Sequence, residues 1–416
     1  MAEEDNKLIF ESILVNLDIS DYEYILSPGM IAKFPLERRD RSKLLIYRNG
    51  EIEQDRFMNL ERYTGSGSTL VFNNSRVIQA RLEFYKDSGA KIEVFCLEPY
   101  DPPDLEIAFQ SRQSVLWKCL IGNRKKWKKG DLSIKGRIGN HEFTLSASLK
   151  GEIPEGAIVK FDWRGSGLTF GEILESTGIT PVPPYLKRKA QPVDRIRYQT
   201  IYSKENGSVA APTAGLHFSE EVLSRLKKRG LCFTEITLHT GIGTFRPIQS
   251  DSLSDHKMHT ECFFISRNTL EKLLEKRHPV ISVGTTSLRT LESIYWMAHT
   301  IYRKKNPGPD ELRINQWDGM INKPVLSFPE ALELLLDYMH RGRTERLGSM
   351  TRLMIIPGYK FNTTQALLTN FHMPRSSLLL LVAAFIGPGW KRVYRYAVEN
   401  NFRLLSYGDS SLLFRE

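Results

Sequence analysis

The sequence predicts a large α/β domain into which a small all-β barrel domain is inserted. Strand-like runs that end in a polar or glycine-containing turn occur before and after the β-rich segment, and the segment at residues 280–293 reads as strand, turn and helix, as is typical of open α/β sheets. Between residues 82 and 162, short β-type runs follow one another at glycine turns without a helical period, which is typical of a small barrel or sandwich. The length of 416 residues leaves room for roughly two to three domains.

These observations set the predicted boundaries. Residues 1–81 and 163–416 are assigned to one discontinuous catalytic domain, and residues 82–162 to the inserted barrel. Residues 300–349 form an enlarged excursion, with one amphipathic helix near residues 329–340 that ends at Gly342. Helices commonly end at a glycine because it adopts left-handed backbone angles at little cost.

The first segment contains a basic loop that leads into a strand at residues 44–47. Arg38, Arg39 and Arg41 in this loop are candidate contacts to RNA phosphates, since a guanidinium donates two parallel hydrogen bonds to an anion. A solvated charged turn is the alternative interpretation. A buried strand at residues 69–72 then precedes a polar turn, and Arg76 and Arg81 follow it as candidate substrate-binding residues.

The predicted barrel carries a basic tip with two interleaved tryptophans. Lys125, Lys126 and Lys128 lie close to Trp117 and Trp127 in the sequence. Lysines that contact phosphates and aromatic rings that stack on bases are a common way to bind RNA. A solvated hairpin tip explains the same residues equally well.

Residues 208–261 hold four of the nine histidines: His217, His239, His256 and His259. Histidine is the side chain that most readily exchanges a proton near pH 7. The pattern predicts a helix capped by Ser219, then a strand at residues 231–239 that ends at His239 before a glycine-containing loop. The carboxyl end of such a strand is the ligand side of an open α/β sheet.

Two later segments also predict ligand contacts. Residues 280–293 read as strand, turn and helix, with Thr285 and Thr286 at the helix N-terminus, where backbone N–H groups can hold an anion. Plain helix capping by these hydroxyls is the alternative. Asn370, His372 and Asp409 lie beside strongly apolar runs, and a buried polar group is either paired or functional.

Composition limits the class of protein. The formal net charge of +10 and the isoelectric point near 9.3 favour a polyanionic partner such as nucleic acid. Four widely spaced cysteines are typical of a reducing compartment. The polar, acidic first residues do not follow a signal-peptide pattern, and the longest apolar run, residues 378–386, is too short to cross a bilayer. A cytoplasmic monomer without a membrane association is expected.

Several blocks of sequence, taken together, resemble the S-adenosylmethionine:tRNA ribosyltransferase-isomerases of queuosine synthesis. The most specific is Ser-Val-Ala-Ala-Pro-Thr-Ala-Gly-Leu-His-Phe at residues 208–218. The other blocks are residues 34–45, 71–82, 183–202, 237–245, 256–261, 283–292, 357–361, 369–382 and 406–409. They cover most of the chain outside the β insert and the excursion.

The resemblance implies both a fold and a reaction. The fold is an α/β domain with an inserted β-barrel. The reaction moves the ribosyl part of S-adenosylmethionine onto 7-aminomethyl-7-deazaguanine at the wobble position of the tRNA anticodon. The product is epoxyqueuosine-tRNA, and adenine and methionine leave. S-adenosylmethionine is a substrate here, and no metal is expected.

This chemistry requires groups that remove and donate protons, for which histidines and carboxylates are suited. The expected proton-transfer residues and their orienting partners are His217, His239, His259, Glu261 and Asp409. The expected substrate-binding residues are Arg76, Arg81, Thr213, Gly241, Gly243, Thr244, Thr285, Thr286, Arg289, Asn370 and His372. Within the second set, Arg289 and the two threonines are assigned to the methionine carboxylate, and Asn370 and His372 to the adenosine or the deazaguanine.

The chain departs from the pattern of the resembled family at Gln79, Ala90, Thr240, Arg352, Ser410 and Ser411. A diverged paralogue with another modified base, or a non-catalytic RNA-binding protein, is therefore an alternative. A metal hydrolase that uses His239, His256, His259 and Cys262 is another. Its ligand spacing matches no strong zinc pattern.

Overall fold

The computed structural model describes residues 2–154, 156–164, 167–241, 243, 247–248, 252–275, 279–305 and 307–415, with side chains from residue 8 onward. The strands are β1 Lys43–Arg48, β2 Glu51–Arg56, β3 Thr69–Asn73, β4 Ser75–Val77, β5 Arg81–Tyr85, β6 Lys91–Asp101, β7 Ser114–Gly122, β8 Leu132–Ile138, β9 His141–Ile153, β10 Gly156–Arg164, β11 Glu205–Ser208, β12 Cys232–His239, β13 Glu261–Ser266, β14 Val280–Val283, β15 Arg346–Thr351, β16 Ala366–Asn370 and β17 Ser410–Phe414. The helices are α1 Ala2–Asn16, α2 Leu105–Gln110, α3 Phe170–Thr177, α4 Pro192–Arg197, α5 Glu220–Lys228, α6 Arg267–Glu275, α7 Thr285–Lys304, α8 Asp318–Ile321, α9 Phe328–Arg341, α10 Ser377–Ile386 and α11 Gly389–Glu399.

The larger sheet has nine strands in the order β15-β13-β12-β3-β14-β16-β17-β1-β2. Its centre is parallel: β12 pairs with β3, β3 with β14, and β14 with β16. The carboxyl ends of these four strands therefore lie on one edge of the sheet. Strands β13 and β17, on either side of this group, run antiparallel to it.

Apolar layers cover both faces of this sheet. On one face, Val71, Ile236 and Leu238 pack in a core with α7 residues such as Leu288 and Leu291. On the other face, Leu70, Phe72 and Val283 pack in a second core with α5 residues such as Val222 and Leu226. Successive strand residues point to opposite faces, so a strand covered on both sides, such as β3, is apolar at consecutive positions.

The smaller sheet has six antiparallel strands in the order β5-β6-β7-β10-β9-β8. Its two edge strands, β5 and β8, contact each other, so the sheet is nearly closed into a barrel. All six strands come from residues 81–164. The mixed α/β architecture with a small barrel-like sheet is thus confirmed. The runs predicted from the sequence in this region correspond to β6, β7, β9 and β10.

The barrel interior changes the interpretation of its tryptophans. Trp117 and Trp127 are both fully buried and belong to the barrel core. The sequence-based interpretation that they stack on RNA bases is wrong, because their rings are already covered by the protein. Lys125, Lys126 and Lys128 are exposed, so the charged half of that interpretation stays a prediction.

The segment treated as an excursion is integral to the large sheet. Helix α7 extends into it as far as Lys304, and β15 forms the outermost strand beside β13. The predicted amphipathic helix is α9, which packs against α6 and α7 and is followed by Gly342. No helix of the described residues is long and apolar enough to span a lipid bilayer.

Candidate functional site

A cleft lies at the carboxyl edge of the parallel strands, and its empty space, counted together with the part open to solvent, is about 690 Å³. It is lined by residues that immediately follow β12, β14 and β16, namely Thr240, Gly284 and Phe371. The turn at residues 210–214 and the side chains of Tyr185 and Ser406 complete the wall. This position follows the general rule that ligands bind outside the carboxyl ends of strands in an open α/β sheet.

Three buried polar atoms of the cleft wall have no hydrogen-bond partner among the described residues. They are the hydroxyls of Thr240 and Thr286 and the Oδ1 oxygen of Asn370. A buried polar atom that stays unpaired costs about 1–3 kcal/mol of folding free energy. Because they lie in the wall of the cleft, these three atoms are candidate hydrogen-bond partners for a ligand.

The N-terminus of α7 forms one side of the cleft. The residue before the helix is Gly284, with φ of +90°, and it provides no side-chain cap. Thr285 and Thr286 lie within the first turn of this 20-residue helix, so the capping alternative is wrong for both. The free N–H groups and the helix dipole make this end suited to a negatively charged ligand group.

Asn370, the last residue of β16, is held in a fixed orientation. Its Nδ2 lies 3.4 Å from two backbone carbonyl oxygens, those of Leu405 and Asp409, to which it donates. The same nitrogen lies 3.2 Å from Nε2 of His217. The amide nitrogen therefore faces the protein, and Oδ1 is the atom left to accept from a ligand.

His217 supports Asn370 from behind. Its Nε2 accepts from Asn370, so Nδ1 carries the proton and donates to the Ser42 hydroxyl at 2.9 Å. Burial, with a smaller contribution from the positive charge of Arg403, lowers the pKa of His217 to about 3. A histidine in this state is neutral at pH 7, which suits positioning better than proton donation.

His372 lines the cleft two residues beyond Asn370. Its Nε2 lies 3.0 Å from the Thr369 hydroxyl, and its backbone N–H donates to the Tyr394 hydroxyl at 3.0 Å. Burial lowers its pKa to about 3. This side chain is therefore a neutral, fixed part of the wall.

A second group of side chains lies one helical turn from Thr285. Nε2 of His259 is 3.1 Å from Oε1 of Glu261, and the other oxygen of this buried carboxylate forms an ion pair with Arg289. Burial lowers the pKa of Arg289 to about 10. A side chain at Gly243 would collide with the His259 ring, and Gly241 is also beside it. Gly241 and Gly243 thus lie beside His259, close in sequence to the cleft residue Thr240, although His259 and Glu261 are not among the described residues of the cleft wall.

Arg289 does not have the role expected from the sequence. Its side chain is only 7% exposed, its guanidinium is committed to Glu261, and it is not among the described residues of the cleft wall. Direct binding of a substrate carboxylate by this residue is therefore not supported. It stabilises the negative charge of Glu261 instead.

His239 is also placed differently from the expectation. It ends β12, as predicted, but its ring lies against Phe264 and Gly207. Side-chain alternation explains this: Ile236 and Leu238 point into the core beneath α7, so His239 points to the opposite face. Burial lowers its pKa to about 4. It does not share the described cleft with Asn370, whereas its neighbour Thr240 does.

Asp409 anchors the backbone beside the cleft. Its carboxylate accepts from the backbone N–H groups of Lys43 and Arg403, at 3.0 and 2.8 Å. The backbone carbonyl of Asp409, and not its carboxylate, accepts from Asn370. Its orienting effect is therefore indirect and does not pass through a histidine.

The remaining predicted residues divide into three groups. Thr213 lines the cleft, and Gly241 and Gly243 lie beside His259. Arg76 is exposed on β4, and Arg81 lies on β5 with its Nε 3.7 Å from Glu93 and its guanidinium over Phe95. Neither arginine is part of the cleft wall as described. Thr244 lies outside the described residues.

The basic loop at residues 38–41 lies directly behind His217. It precedes Ser42, the hydrogen-bond partner of that histidine, and it contacts the turn that contains residues 213–217. Arg38 pairs with Asp40 at 3.3 Å and is 52% exposed, and Arg39 donates to the Gln199 carbonyl oxygen. Arg41 is exposed. The loop is thus close to the cleft.

Sequence reasoning did not identify several residues of this site, among them Ser42, Tyr185, Thr240 and Ser406. Ser42 contacts His217, and the other three line the cleft. The sequence held one usable signal, because Thr240 was already noted as a departure in the block that contains His239. The hydroxyls of Tyr185 and Ser406 are in contact with each other, which no spacing in the sequence indicates.

The described residues contain no group of three or more His, Cys, Asp or Glu side chains placed to hold a metal ion. Cys262 is opposite His239 in the β12–β13 ladder. Burial raises the pKa of its thiol to about 11.

Comparison with known proteins gives a consistent result. Residues 19–413 match the family described as "Queuosine biosynthesis protein". An S-adenosylmethionine:tRNA ribosyltransferase-isomerase from Thermotoga maritima is 37% identical over 405 residues, covering 95% of this chain and 100% of that protein. A protein of the same name from Carboxydothermus hydrogenoformans is 35% identical over 407 residues, covering 95% and 100%.

Among solved structures, a crystal structure of an S-adenosylmethionine tRNA ribosyltransferase from Thermotoga maritima is similar to this chain. The identity is 29%, and the TM-score is 0.45. The match covers 95% of this chain and 100% of that one.

Proposed function

The chain belongs to the queuosine biosynthesis protein family, and from this premise we propose that it is an S-adenosylmethionine:tRNA ribosyltransferase-isomerase. It moves the ribosyl part of S-adenosylmethionine onto 7-aminomethyl-7-deazaguanine at the wobble position of tRNA. The product is epoxyqueuosine-tRNA, with release of adenine and methionine. A non-catalytic RNA-binding protein is not favoured, since the relatives that cover 95% of the chain are named as enzymes.

Family membership carries this proposal, and the unpaired polar atoms of the cleft are compatible with it. S-adenosylmethionine offers a carboxylate and an amino-purine, and the cleft offers complementary groups at two places. The carboxylate is assigned to the N-terminus of α7, beside the unpaired hydroxyl of Thr286, where the helix dipole favours negative charge. An amino group of a purine or of the deazaguanine is assigned to Oδ1 of Asn370, the free acceptor.

Proton transfer is assigned to His259. The reaction requires a base that removes a proton from the carbon next to the sulfonium, and an acid that protonates adenine as it leaves. Glu261 orients the imidazole of His259, and Arg289 holds Glu261 in place. His217 and His372 are neutral positioning residues, because burial lowers the pKa of each to about 3.

One experiment tests the proposal. The purified protein is incubated with S-adenosylmethionine and tRNA that carries 7-aminomethyl-7-deazaguanine, and adenine release and the epoxide nucleoside are measured by mass spectrometry. Release of both is the expected result. The matched control is tRNA that carries ordinary guanine at the wobble position, which should give neither product. If the two tRNAs behave alike, the proposed reaction is wrong.

We also propose a domain division, a location and a metal requirement for this protein. Residues 82–162 form an inserted domain, and the catalytic residues lie in 1–81 and 163–416. The protein acts in the cytoplasm, where free cysteines such as the four described here stay reduced, and it acts as a monomer. Catalysis needs no metal. Full activity after dialysis against a chelator is the expected result, and activity that returns only with one added metal would contradict it.

A further inference from the structure

We propose that the surface formed by Lys33, Phe34, Arg38, Lys187, Arg188 and Lys189, here called the Phe34 face, binds the anticodon loop of the substrate tRNA. This inference rests on the proposed function, since it takes tRNA as the partner. The proposed main docking site for the RNA is this surface beside the cleft, and not the basic tip of the barrel.

The charge of this surface comes from two segments that meet in space. Residues 33–43 and 187–197 together contain ten lysines and arginines and three carboxylates. Two of these carboxylates, Asp40 and Asp194, are buried and paired with arginines. Lys33, Arg38, Lys187 and Lys189 are exposed. Such an excess of positive charge attracts the phosphate backbone of RNA.

An exposed aromatic ring lies within this charged surface. The Phe34 side chain is 47% exposed, and the Arg188 guanidinium lies over its ring at 4.5 Å from the centroid. Stacking on an aromatic ring is a general way to bind an unpaired RNA base. The two tryptophans of the barrel tip cannot do this, because they are fully buried.

Arg188 makes this ring a rigid platform. Its two terminal nitrogens donate to both oxygens of Asp194 at 2.7 Å, and its Nε donates to the Lys33 carbonyl oxygen at 2.7 Å. Asp194 also accepts from the Tyr407 hydroxyl at 2.7 Å. An arginine held by a two-point ion pair loses little further freedom on binding, so the ring it supports is preorganised.

The same residues connect the Phe34 face to the cleft. Tyr185 lines the cleft and precedes Lys187 by two positions, and Ser406 lines it next to Tyr407. An RNA loop that places one nucleotide in the cleft thus has its neighbouring nucleotides at this surface. On the other side, Arg38 and Arg39 lie in the loop that leads to Ser42 and His217.

The test compares two charge reversals of equal size. Lys187→Glu/Lys189→Glu changes the Phe34 face, and Lys126→Glu/Lys128→Glu changes the barrel tip with the same charge and the same spacing. All four lysines are exposed. The probe is a fluorescein-labelled RNA hairpin with an anticodon stem-loop sequence, and its affinity is measured at several salt concentrations. S-adenosylmethionine binding, measured by calorimetry, is the control for folding and for the cleft.

Reversal at the Phe34 face should weaken hairpin binding at least tenfold and reduce the slope of log affinity against log salt by roughly 1 to 2. Reversal at the tip should change affinity less than threefold. Phe34→Leu should weaken hairpin binding about tenfold. Phe34→Tyr keeps the aromatic ring, so its hairpin affinity should stay close to that of the wild-type protein. S-adenosylmethionine affinity should stay unchanged in all four variants.

Two results overturn the inference. One is a loss of hairpin affinity at the tip that equals or exceeds the loss at the Phe34 face; the other is an unchanged affinity after reversal at the face. Either leaves the proposed function intact, because wild-type protein still binds RNA and releases adenine. Failure of the wild-type protein to bind any hairpin or to release adenine would instead refute the proposed function itself.

Discussion

His259 contacts a carboxylate, at 3.1 Å from Glu261, whereas His217 contacts a hydroxyl and an amide. This difference in partners separates the two roles proposed for them. A carboxylate stabilises the protonated form of a histidine, so the ring can pass through both states during a reaction. An amide and a hydroxyl leave a buried histidine neutral. The proposed role of His217 is therefore to hold Asn370 in place.

Replacement of His259 tests this assignment. His259→Gln should lower turnover by about 10²-fold, the usual scale for a proton-transfer group, with little change in S-adenosylmethionine affinity. His239→Gln is the matched comparison, because this ring also lies near the end of β12 but faces away from the cleft. The measurement is the single-turnover rate of each variant, compared with that of the wild-type protein. An equal loss in the two would refute the distinction between them.

The ion pair of Glu261 and Arg289 gives a prediction about stability. Both side chains are buried, so removal of one partner leaves an uncompensated charge at a cost of about 3–5 kcal/mol. Glu261→Gln should lower the free energy of unfolding by this amount, as measured by urea titration. The double variant Glu261→Gln/Arg289→Met should recover most of the loss. A double variant that is no more stable than the single one would contradict the proposed pairing.

At the scale of elements, the N-terminus of α7 and the end of β16 determine the cleft. The tight turn at Gly284 brings β14 directly into α7, so the first helical turn faces the sheet edge. This turn requires glycine, because φ of +90° is strained for any residue with a Cβ atom. The added Cβ would also lie 3.3 Å from the Thr286 hydroxyl.

Gly284→Ala should therefore have two effects. It should lower the free energy of unfolding by about 1–2 kcal/mol through backbone strain, and it should weaken S-adenosylmethionine binding by crowding Thr286. Gly387→Ala is the matched control, since Gly387 has φ of +57° and open space around it. That variant should lose stability without losing affinity in calorimetry. Equal affinity losses in the two variants would show that the cleft effect is a consequence of instability.

At the scale of the whole molecule, three neutral histidines make stability depend on pH. Burial lowers the pKa of His217 and His372 to about 3, and that of His239 to about 4. Each regains a pKa near 6.5 when the chain unfolds. Below pH 6.5 the unfolded chain thus binds more protons than the folded one, and stability is lost as the pH falls.

The expected loss between pH 7 and pH 5 is about 2 kcal/mol per histidine. Urea midpoints at pH 7, 6 and 5 measure it. His372→Gln should reduce the slope by about one proton, whereas His141→Gln, at an exposed position, should leave it unchanged. A stability that is flat between pH 7 and pH 5 would mean that these rings are not buried in the neutral form in solution.

The amino-acid sequence by itself determined the local elements and the family. Strand β3, the Ser219-capped helix α5 and strand β12 follow from periodicity and capping residues. Such signals lie within a few turns of chain and need no distant partner. The blocks that carry the family resemblance likewise identified Thr213, Thr285, Asn370 and His372, which line the cleft.

Only the tertiary structure decided how these residues are used. Because side chains alternate along β12, His239 points away from the cleft, whereas the next residue, Thr240, lines it. Both tryptophans that the sequence places near the basic tip are buried in the barrel core. Arg289 pairs with Glu261, and Asn370 with His217, across long separations in sequence. Whether a polar side chain is paired or free depends on partners that the fold brings close, and a linear pattern does not contain that information.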